Sequence, residues 1–239
     1  MKTVVLDIET IPDERAMMRC GYVVSDDEFA PWPLHELACA SVLTINTRGR
    51  DHLDFSLQSF STGSMSERAI VASVERLIEN ADQVLTYNGR GHDIPVLLTR
   101  AILAGEDVPT LARLGNTARP GLHRDLHDDL KRTAGLGVKL AHICAAFAIP
   151  AKLCSGDRVV DAACDGRWTD IEHYCEADVV ATWLAAQMWD SAENPGFGLE
   201  RWQRLAAWIA GEPRSNRWLE LFCQVPEIRT STGAINVVF

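Results

Sequence analysis

The amino-acid sequence predicts a single α/β domain whose mixed β-sheet is flanked by helices. Its 239 residues, of which 47% are hydrophobic, are enough to bury one full core. Short apolar runs rich in β-branched residues alternate with segments whose apolar residues recur at helical spacing. In chain order these patterns indicate three strands, a helix, a strand, a helix and then further helices.

The chain is organised around its first strand, which is predicted at residues 4–10. Because side chains alternate along a strand, Asp7 and Glu9 point to one face, and Leu6 and Ile8 to the other. Two carboxylates at the end of a central strand repel each other and resist burial, unless a divalent cation lies between them. Carboxylate oxygens are hard ligands that suit Mg²⁺ or Mn²⁺. The alternative is a strand whose acidic end simply reaches solvent.

The remaining elements follow from local patterns. Prolines and acidic stretches make residues 11–37 irregular, and residues 38–47 and 52–60 are expected to form a hairpin that extends the first strand into a largely antiparallel meander. Ser64 or Ser66 can cap the next helix. The later elements are a strand at 83–87, a tight turn at 88–92, a helix capped by Asp93, a loop at 108–121, a helix at 138–148, a mostly irregular stretch at 150–170 and a helix at 171–189.

Composition limits the compartment and the partners. Seven scattered cysteines without a C-x-x-C pair favour reduced thiols, and hence a cytoplasmic protein. No apolar run is long enough to span a membrane, and the acidic first strand is unlike a secretory signal. The net charge of −10 argues by itself against a nucleic-acid partner. Residues 87–170, however, are nearly balanced in charge, which allows a basic surface beside the cluster of acidic candidate residues.

Residues 191–239 are expected to form a C-terminal helical extension packed on the same domain. Interleaved aromatic and arginine side chains can stack exposed bases, but tryptophans at helical spacing more often pack in a core, and packing is the favoured interpretation. The residues concerned are Trp202, Trp208 and Trp218 among Arg201, Arg204, Arg214 and Arg217.

Two further places carry acidic side chains that could join Asp7 and Glu9. Asp93 starts a helix directly after a strand, and the carboxyl ends of strands are where ligands collect in open α/β sheets. The alternative for Asp93 is a plain helix cap. Tyr174 and Asp178 are four residues apart, on one face of a well-packed helix. A carboxylate on the buried face needs a partner, and a metal ion is a natural one.

The ordered set of D-x-E in VVLDIET, the aspartate in TYNGRGHDIPVL and Y-x-x-x-D in HYCEADVVAT resembles the DEDD superfamily of 3′–5′ exonucleases. The tyrosine (DEDDy) group, close to the proofreading exonuclease domains of B-family DNA polymerases, is the most similar. The resemblance covers about residues 1–190, which are therefore expected to be a 3′–5′ exonuclease domain. It implies a ribonuclease H-like fold.

The resemblance also implies hydrolysis of phosphodiester bonds with two divalent cations, Mg²⁺ or Mn²⁺. Asp7 would bridge both cations, Glu9 and Asp178 would complete the site that activates water, and Asp93 would reach the second cation. Tyr174 would orient the attacking water rather than remove its proton. The expected substrates are single-stranded 3′ ends, with DNA favoured and RNA as the alternative, and the products are nucleoside monophosphates.

The segment from His173 to Asp178 satisfies the motifs of both the tyrosine group and the histidine group. The histidine group of the superfamily carries H-x-x-x-x-D, and His173 stands five residues before Asp178. On a continuous helix the residue at i, i+4 shares the face of Asp178, whereas the residue at i, i+5 lies about 140° away. Tyr174 is therefore favoured over His173.

The expected substrate contacts are Thr10, Asn88, Arg90 and His92. Asn88 could touch the terminal sugar or simply form the turn. Relatives usually carry an aromatic residue at the position of His92, so packing is favoured there over a hydrogen bond to phosphate. Further candidates for phosphate contacts are Arg124, Lys131, Lys139, Lys152 and Arg158.

Three other functions remain open from the sequence. A ribonuclease D-like enzyme would trim RNA 3′ ends with the same residues. A dinucleotide phosphodiesterase would use the same metals in a short, closed pocket. A non-catalytic nucleic-acid-binding protein would keep the fold but lack a carboxylate, and none of the four is missing.

Overall fold

The computed structural model describes residues 1–23, 30–49, 52–116, 121–150, 157–212, 216–231 and 234–238. Within these ranges a five-stranded mixed sheet has the order β3-β2-β1-β4-β5. The pairs β1–β2 and β2–β3 are antiparallel, and the pairs β1–β4 and β4–β5 are parallel. The strands are β1 (Lys2–Pro12), β2 (His35–Arg48), β3 (His52–Ser61), β4 (Gln83–Thr86) and β5 (His123–Asp125). The α/β fold class and the antiparallel meander are confirmed.

Helices cover both faces of the sheet, and the described chain ends in a separate two-stranded hairpin. The helices are α1 (Glu14–Cys20), α2 (Glu67–Ile78), α3 (Asp93–Ala104), α4 (Pro109–Gly115), α5 (Leu126–Ala134), α6 (Leu140–Ala146), α7 (Asp157–Cys164), α8 (Trp168–Asp190), α9 (Phe197–Gly211) and α10 (Arg217–Glu220). The hairpin pairs β6 (Glu227–Ser231) with β7 (Ala234–Val238). None of the helices in the described ranges is long and apolar enough to cross a membrane.

The alternation of side chains along the strands divides the core into two layers. Val5 and its neighbours on one face of the sheet pack against α8 and α9. Val4, Leu6 and Ile8 on the other face pack against α2, α3 and α4. Since Asp7 and Glu9 alternate with Leu6 and Ile8, their side chains lie on the face that α8 covers. The side chains of Asp7 and Glu9 can therefore meet acidic residues of α8.

Several elements differ from the sequence prediction. The segments predicted as irregular contain α1, α4 and α7, and β5 is an additional strand. Helix α1 has no buried residue and so no apolar face that a pattern could reveal; it is defined by its ends, where Asp13 accepts from the backbone of Ala16 and Gly21 takes a left-handed conformation. The predicted C-terminal extension is helical only as far as Cys223, before the hairpin. Residues 50 and 51 between the two strands of the predicted hairpin, the candidate Lys152 and Arg214 of the predicted extension lie outside the described residues.

Candidate active site

Asp7, Glu9 and Asp178 converge where α8 crosses the carboxyl end of β1. Each offers a carboxylate oxygen, and these oxygens all lie within 4.8 Å of one another. Glu9 and Asp178 are buried, with 7% and 6% of their surface exposed, and Asp7 is half-buried. The sequence predicts that these three carboxylates lie together, and the structure brings them together. Such a set of oxygen ligands fits a divalent cation, whose charge would relieve the repulsion among them.

Asp93 approaches the same end of β1 from α3. The parallel ladder between β1 and β4 ends at the pair Val5–Leu85, which leaves the backbone N–H of Ile8 beyond its reach. That N–H donates to Oδ1 of Asp93 over 3.2 Å. The prediction that Asp93 caps the helix is wrong: His92 is the N-cap residue, and Asp93 is the first residue of α3.

The electrostatics of Asp93 indicate that the site needs positive charge. Burial raises the pKa of Asp93 to about 7, and the carboxylates of Asp125 and Glu9 contribute to the increase. Without a counter-ion the protein therefore disfavours ionisation of Asp93. A bound cation would favour the ionised form, so the donor chemistry of Asp93 also fits a metal site.

Cys175 contacts Asp7, and the sequence did not predict this contact. Its thiol is fully buried and donates to the backbone oxygen of Asp7 over 3.4 Å and to Oδ2 of Asp7 over 3.5 Å. Burial raises the pKa of Cys175 well above its usual value, so the sulfur keeps its proton and remains a donor. The spacing of Cys175, three residues before Asp178, could have indicated this contact, because the two residues share a helix face.

A cavity of about 480 Å³ adjoins the carboxylates. Its lining comes from β1, the segment before β2, the turn after β4 and the start of α3, and includes Asp7, Glu9, Thr10, Asn88 and His92. Four of the predicted substrate contacts were Thr10, Asn88, Arg90 and His92, and three of them line this space. The predictions of substrate contact remain predictions.

A chain of hydrogen bonds fixes His92 at the cavity wall. His35 Nε2 is bonded to the carbonyl of Ala30 over 2.9 Å, and its Nδ1 lies 2.9 Å from the hydroxyl of Thr10. That hydroxyl lies 3.3 Å from Nε2 of His92. Burial, aided by His35, lowers the pKa of His92 to about 4. At neutral pH, His92 therefore presents a hydrogen-bonding ring without a charge.

The turn between β4 and α3 is shaped by Asp125 from β5. Asp125 is 2% exposed and accepts from the backbone N–H groups of Asn88 (2.8 Å) and Arg90 (2.9 Å). Asn88 has a φ of 62°, in the left-handed region that asparagine tolerates. At Gly89 a Cβ would lie 2.5 Å from Oγ1 of Thr86, which requires glycine. The turn thereby delivers His92 and Asp93 to the site.

Tyr174 is half-buried on α8, and its ring packs against Trp218, with 5.7 Å between the ring centroids. His173 is also half-buried, and its backbone oxygen accepts from Asn216 over 3.4 Å. The helix is continuous from Trp168 to Asp190, so the face argument that favours Tyr174 applies. The choice between the two residues remains a prediction.

Arg124, a candidate for phosphate contact, forms ion pairs with two carboxylates of the protein. It donates to Asp129 over 2.7 Å and to both oxygens of Asp190 over 2.8 Å, and these bonds raise its pKa. The side chain of Arg90 donates to the backbone of His123 and lies 3.5 Å from Asp128. The remaining described candidates, Lys131, Lys139 and Arg158, are exposed.

Comparison with known proteins supports this description. Residues 27–189 match the model of a family described as predicted 3′–5′ exonucleases related to the exonuclease domain of PolB. The matched segment contains Asp93, Tyr174 and Asp178, whereas Asp7 and Glu9 precede it. It is the fold that joins the two parts at one site. A search of curated protein sequences gave no match.

Solved structures share the fold at low sequence identity. The family B DNA polymerase of the hyperthermophilic archaeon Pyrobaculum calidifontis superposes with a TM-score of 0.56 and 18% identity, over 97% of this chain and 31% of that one. Exonuclease I in complex with the inhibitor BCBP has a TM-score of 0.50 and 14% identity, over 86% and 44%. E. coli exonuclease I with a dT13 oligonucleotide has a TM-score of 0.48 and 15% identity, over 87% and 43%.

The chain thus spans less than half the length of these structures. The ribonuclease H-like fold and the resemblance to DEDD-type exonucleases are confirmed. Because the family model matches most of the sequence, the chain belongs to the family of 3′–5′ exonucleases related to the exonuclease domain of PolB.

Proposed function

We propose that this protein hydrolyses single-stranded nucleic acid from the 3′ end, with DNA favoured, and releases nucleoside monophosphates by a two-metal mechanism. The observation that carries the proposal is the convergence of Asp7, Glu9 and Asp178 within 4.8 Å, beside a cavity that Asp93 also lines. Membership in a family related to a DNA polymerase exonuclease supports DNA as the substrate. The cavity falls within the range of about 300–1,000 Å³ that is typical of small-ligand sites, which suits a terminal nucleotide.

The residues divide into two sets of metal ligands. Asp7, Glu9 and Asp178 would hold one cation, and Asp7 with Asp93 would hold the other. When bound, the cations supply an activated water and stabilise charge on the leaving 3′ oxygen. The role of Cys175 is to keep Asp7 oriented through its thiol hydrogen bonds.

The other side chains act on water and on the nucleotide. Tyr174 orients the attacking water through its hydroxyl, which makes this a DEDDy enzyme. His92, neutral and fixed by Thr10, offers a hydrogen bond or a ring surface to the terminal nucleotide. Asn88 borders the same cavity from the turn. The cavity, of about 480 Å³, has a size that suits one terminal nucleotide.

The decisive experiment is degradation of 5′-labelled single-stranded DNA, single-stranded RNA and dinucleotides, each with Mg²⁺, Mn²⁺ or EDTA. Wild-type protein should give a metal-dependent ladder that shortens from the 3′ end. Asp7→Ala should reduce the rate by at least about 10³-fold because an anchoring metal ligand is lost. Asp107→Ala, which removes an exposed carboxylate, is the matched control and should behave as wild type.

Each arm has an outcome against the proposal. Equal rates for Asp7→Ala and wild type would refute the site. Cleavage of RNA alone would identify an RNA trimmer, and cleavage of dinucleotides alone would identify a small-molecule phosphodiesterase. Circular dichroism of Asp7→Ala must match wild type, so that a loss of activity is not a loss of fold.

A further inference from the structure

A short C-terminal segment, residues 216–218, reaches the part of α8 that carries Tyr174. Asn216 is 2% exposed, and its Nδ2 donates to Oε2 of Glu176 over 2.7 Å and to the backbone oxygen of His173 over 3.4 Å. Its Oδ1 accepts from the backbone N–H of Trp218 over 2.9 Å. One buried side chain therefore ties the start of α10 to α8 on both sides of Tyr174 in the sequence.

This tie brings an indole ring onto the tyrosine. The ring centroids of Tyr174 and Trp218 are 5.7 Å apart, and the ring planes are tilted by 42°. The guanidinium carbon of Arg217 lies 4.7 Å from the centroid of the Trp218 ring. By contrast, Trp202 and Trp208 of the same extension serve packing: Trp202 is fully buried, and Trp208 lies against Phe55.

We propose that Trp218 is a positioning residue for Tyr174, supplied by a segment that lies outside the matched residues 27–189. The inference rests on the proposed function, in which the hydroxyl of Tyr174 orients the attacking water. A half-buried tyrosine can rotate about χ1, and an aromatic neighbour excludes rotamers that would turn the hydroxyl away. Holding the ring in advance lowers the entropic cost of the reactive arrangement.

The contacts favour positioning over a platform for substrate bases. A platform needs an available ring face, whereas the Trp218 indole already contacts Tyr174 and lies under Arg217. A platform residue would act on substrate binding and so on KM. A positioning residue acts on kcat, because its effect appears when the water is aligned.

The test compares Trp218→Ala, Trp218→Phe and the control Trp208→Ala in two backgrounds, wild type and Tyr174→Phe. Trp218→Ala should lower kcat by about tenfold with KM nearly unchanged, since a misplaced group costs rate and not binding. Trp218→Phe should retain most of the rate because a ring is still present. In the Tyr174→Phe background, Trp218→Ala should cause no further loss, and Trp208→Ala should leave kcat unchanged in both.

Three results would overturn the inference: an equal loss of kcat in both backgrounds, a rise of KM alone, or no change. A second readout is independent of activity. The chain has three tyrosines, so the ¹⁹F resonance of 3-fluorotyrosine at position 174 can be assigned by its loss in Tyr174→Phe. Trp218→Ala should shift that resonance, and an unchanged resonance would refute the contact. If wild-type protein cleaves neither DNA nor RNA, the proposed function fails, while the ¹⁹F result still judges the Trp218 contact.

Discussion

At the scale of single residues, the site is defined as much by what holds the carboxylates as by the carboxylates themselves. The convergence of Asp7, Glu9 and Asp178 could be predicted from sequence because the types, order and spacing of the residues are specific, and the role of Tyr174 stays a prediction. Cys175 could not be predicted, because a cysteine in an apolar helix is ordinarily a packing residue. Its role depends on the approach of Asp7 from residue positions far away in the chain, which no local pattern encodes.

The choice between Tyr174 and His173 gives a direct prediction. Tyr174→Phe should lower kcat by about 100-fold, because it removes the hydroxyl that orients the attacking water in the proposed function. His173→Ala should change kcat by less than about threefold, since its side chain does not share the face of Asp178. Single-turnover rates on the same oligonucleotide measure both. A larger effect for His173→Ala would move the protein to the histidine group.

The raised pKa of Asp93 predicts a pH dependence of stability. The pKa of this carboxyl is about 7 in the folded protein against an ordinary 3.8, so the unfolded chain ionises first as the pH rises. Without metal, the contribution of Asp93 to stability is full below about pH 4 and is lost as the pH rises towards 7. Saturating Mn²⁺ should remove this loss, because a cation stabilises the ionised carboxylate.

Urea unfolding in EDTA between pH 4.5 and 8 tests this prediction. The difference in unfolding free energy between wild type and Asp93→Asn isolates the carboxyl, because the other groups titrate alike in both proteins. That difference should shift in favour of Asp93→Asn as the pH rises. A difference that stays constant with pH would contradict the prediction.

At the scale of elements, the turn between β4 and α3 positions Asp93. Its glycines and asparagine could be predicted to form a tight turn, and they do. The support from Asp125 was not predicted, because β5 has only three residues and cannot be distinguished from a loop by its pattern. The same limit applies to α1, which has no buried face. The meander and α2 were predictable because their periodic apolar faces are long.

Removal of the Asp125 carboxylate should therefore destabilise the turn between β4 and α3 more than removal of a partly exposed carboxylate would. Asp125→Ala leaves the backbone N–H groups of Asn88, Arg90 and His127 without their acceptor and should cost about 2–4 kcal/mol of unfolding free energy. Asp128→Ala, which breaks a partly exposed contact with Arg90, should cost less than about 1 kcal/mol.

Urea unfolding of the two variants at one pH provides the comparison. The exonuclease rate of Asp125→Ala should also fall, because the start of α3 is no longer held. Equal stability of both variants would show that the turn does not depend on Asp125.

At the scale of the whole molecule, the distribution of charge determines how a polyanionic substrate should be held under the proposed function. The chain carries a net charge of −10. Several arginines of the described chain are occupied by carboxylates: Arg100 pairs with Asp13 and Glu67, and Arg124 pairs with Asp129 and Asp190. Affinity for a polyanion should therefore come mainly from the metal site and the cavity.

This distribution predicts a weak dependence of binding on monovalent salt. For Tyr174→Phe, which keeps all four carboxylates, and a labelled single strand at fixed Mg²⁺, the slope of log K against log [NaCl] should be no steeper than about −3, because Arg100 and Arg124 of the described chain are already paired with carboxylates. Fluorescence anisotropy across a series of NaCl concentrations measures the slope. A value steeper than about −5 would indicate an extensive basic surface and contradict the prediction.

The distance along the chain between the converging carboxylates has a consequence for the timing of activity. Asp7 and Glu9 belong to the first strand, but Asp178 arrives with a helix that begins at Trp168. A chain that is still being synthesised carries Asp7, Glu9 and Asp93 before α8 is made, and it cannot complete the group of three without Asp178. Premature termination products that end before α8 have the same defect, so under the proposed function they should show no nuclease activity.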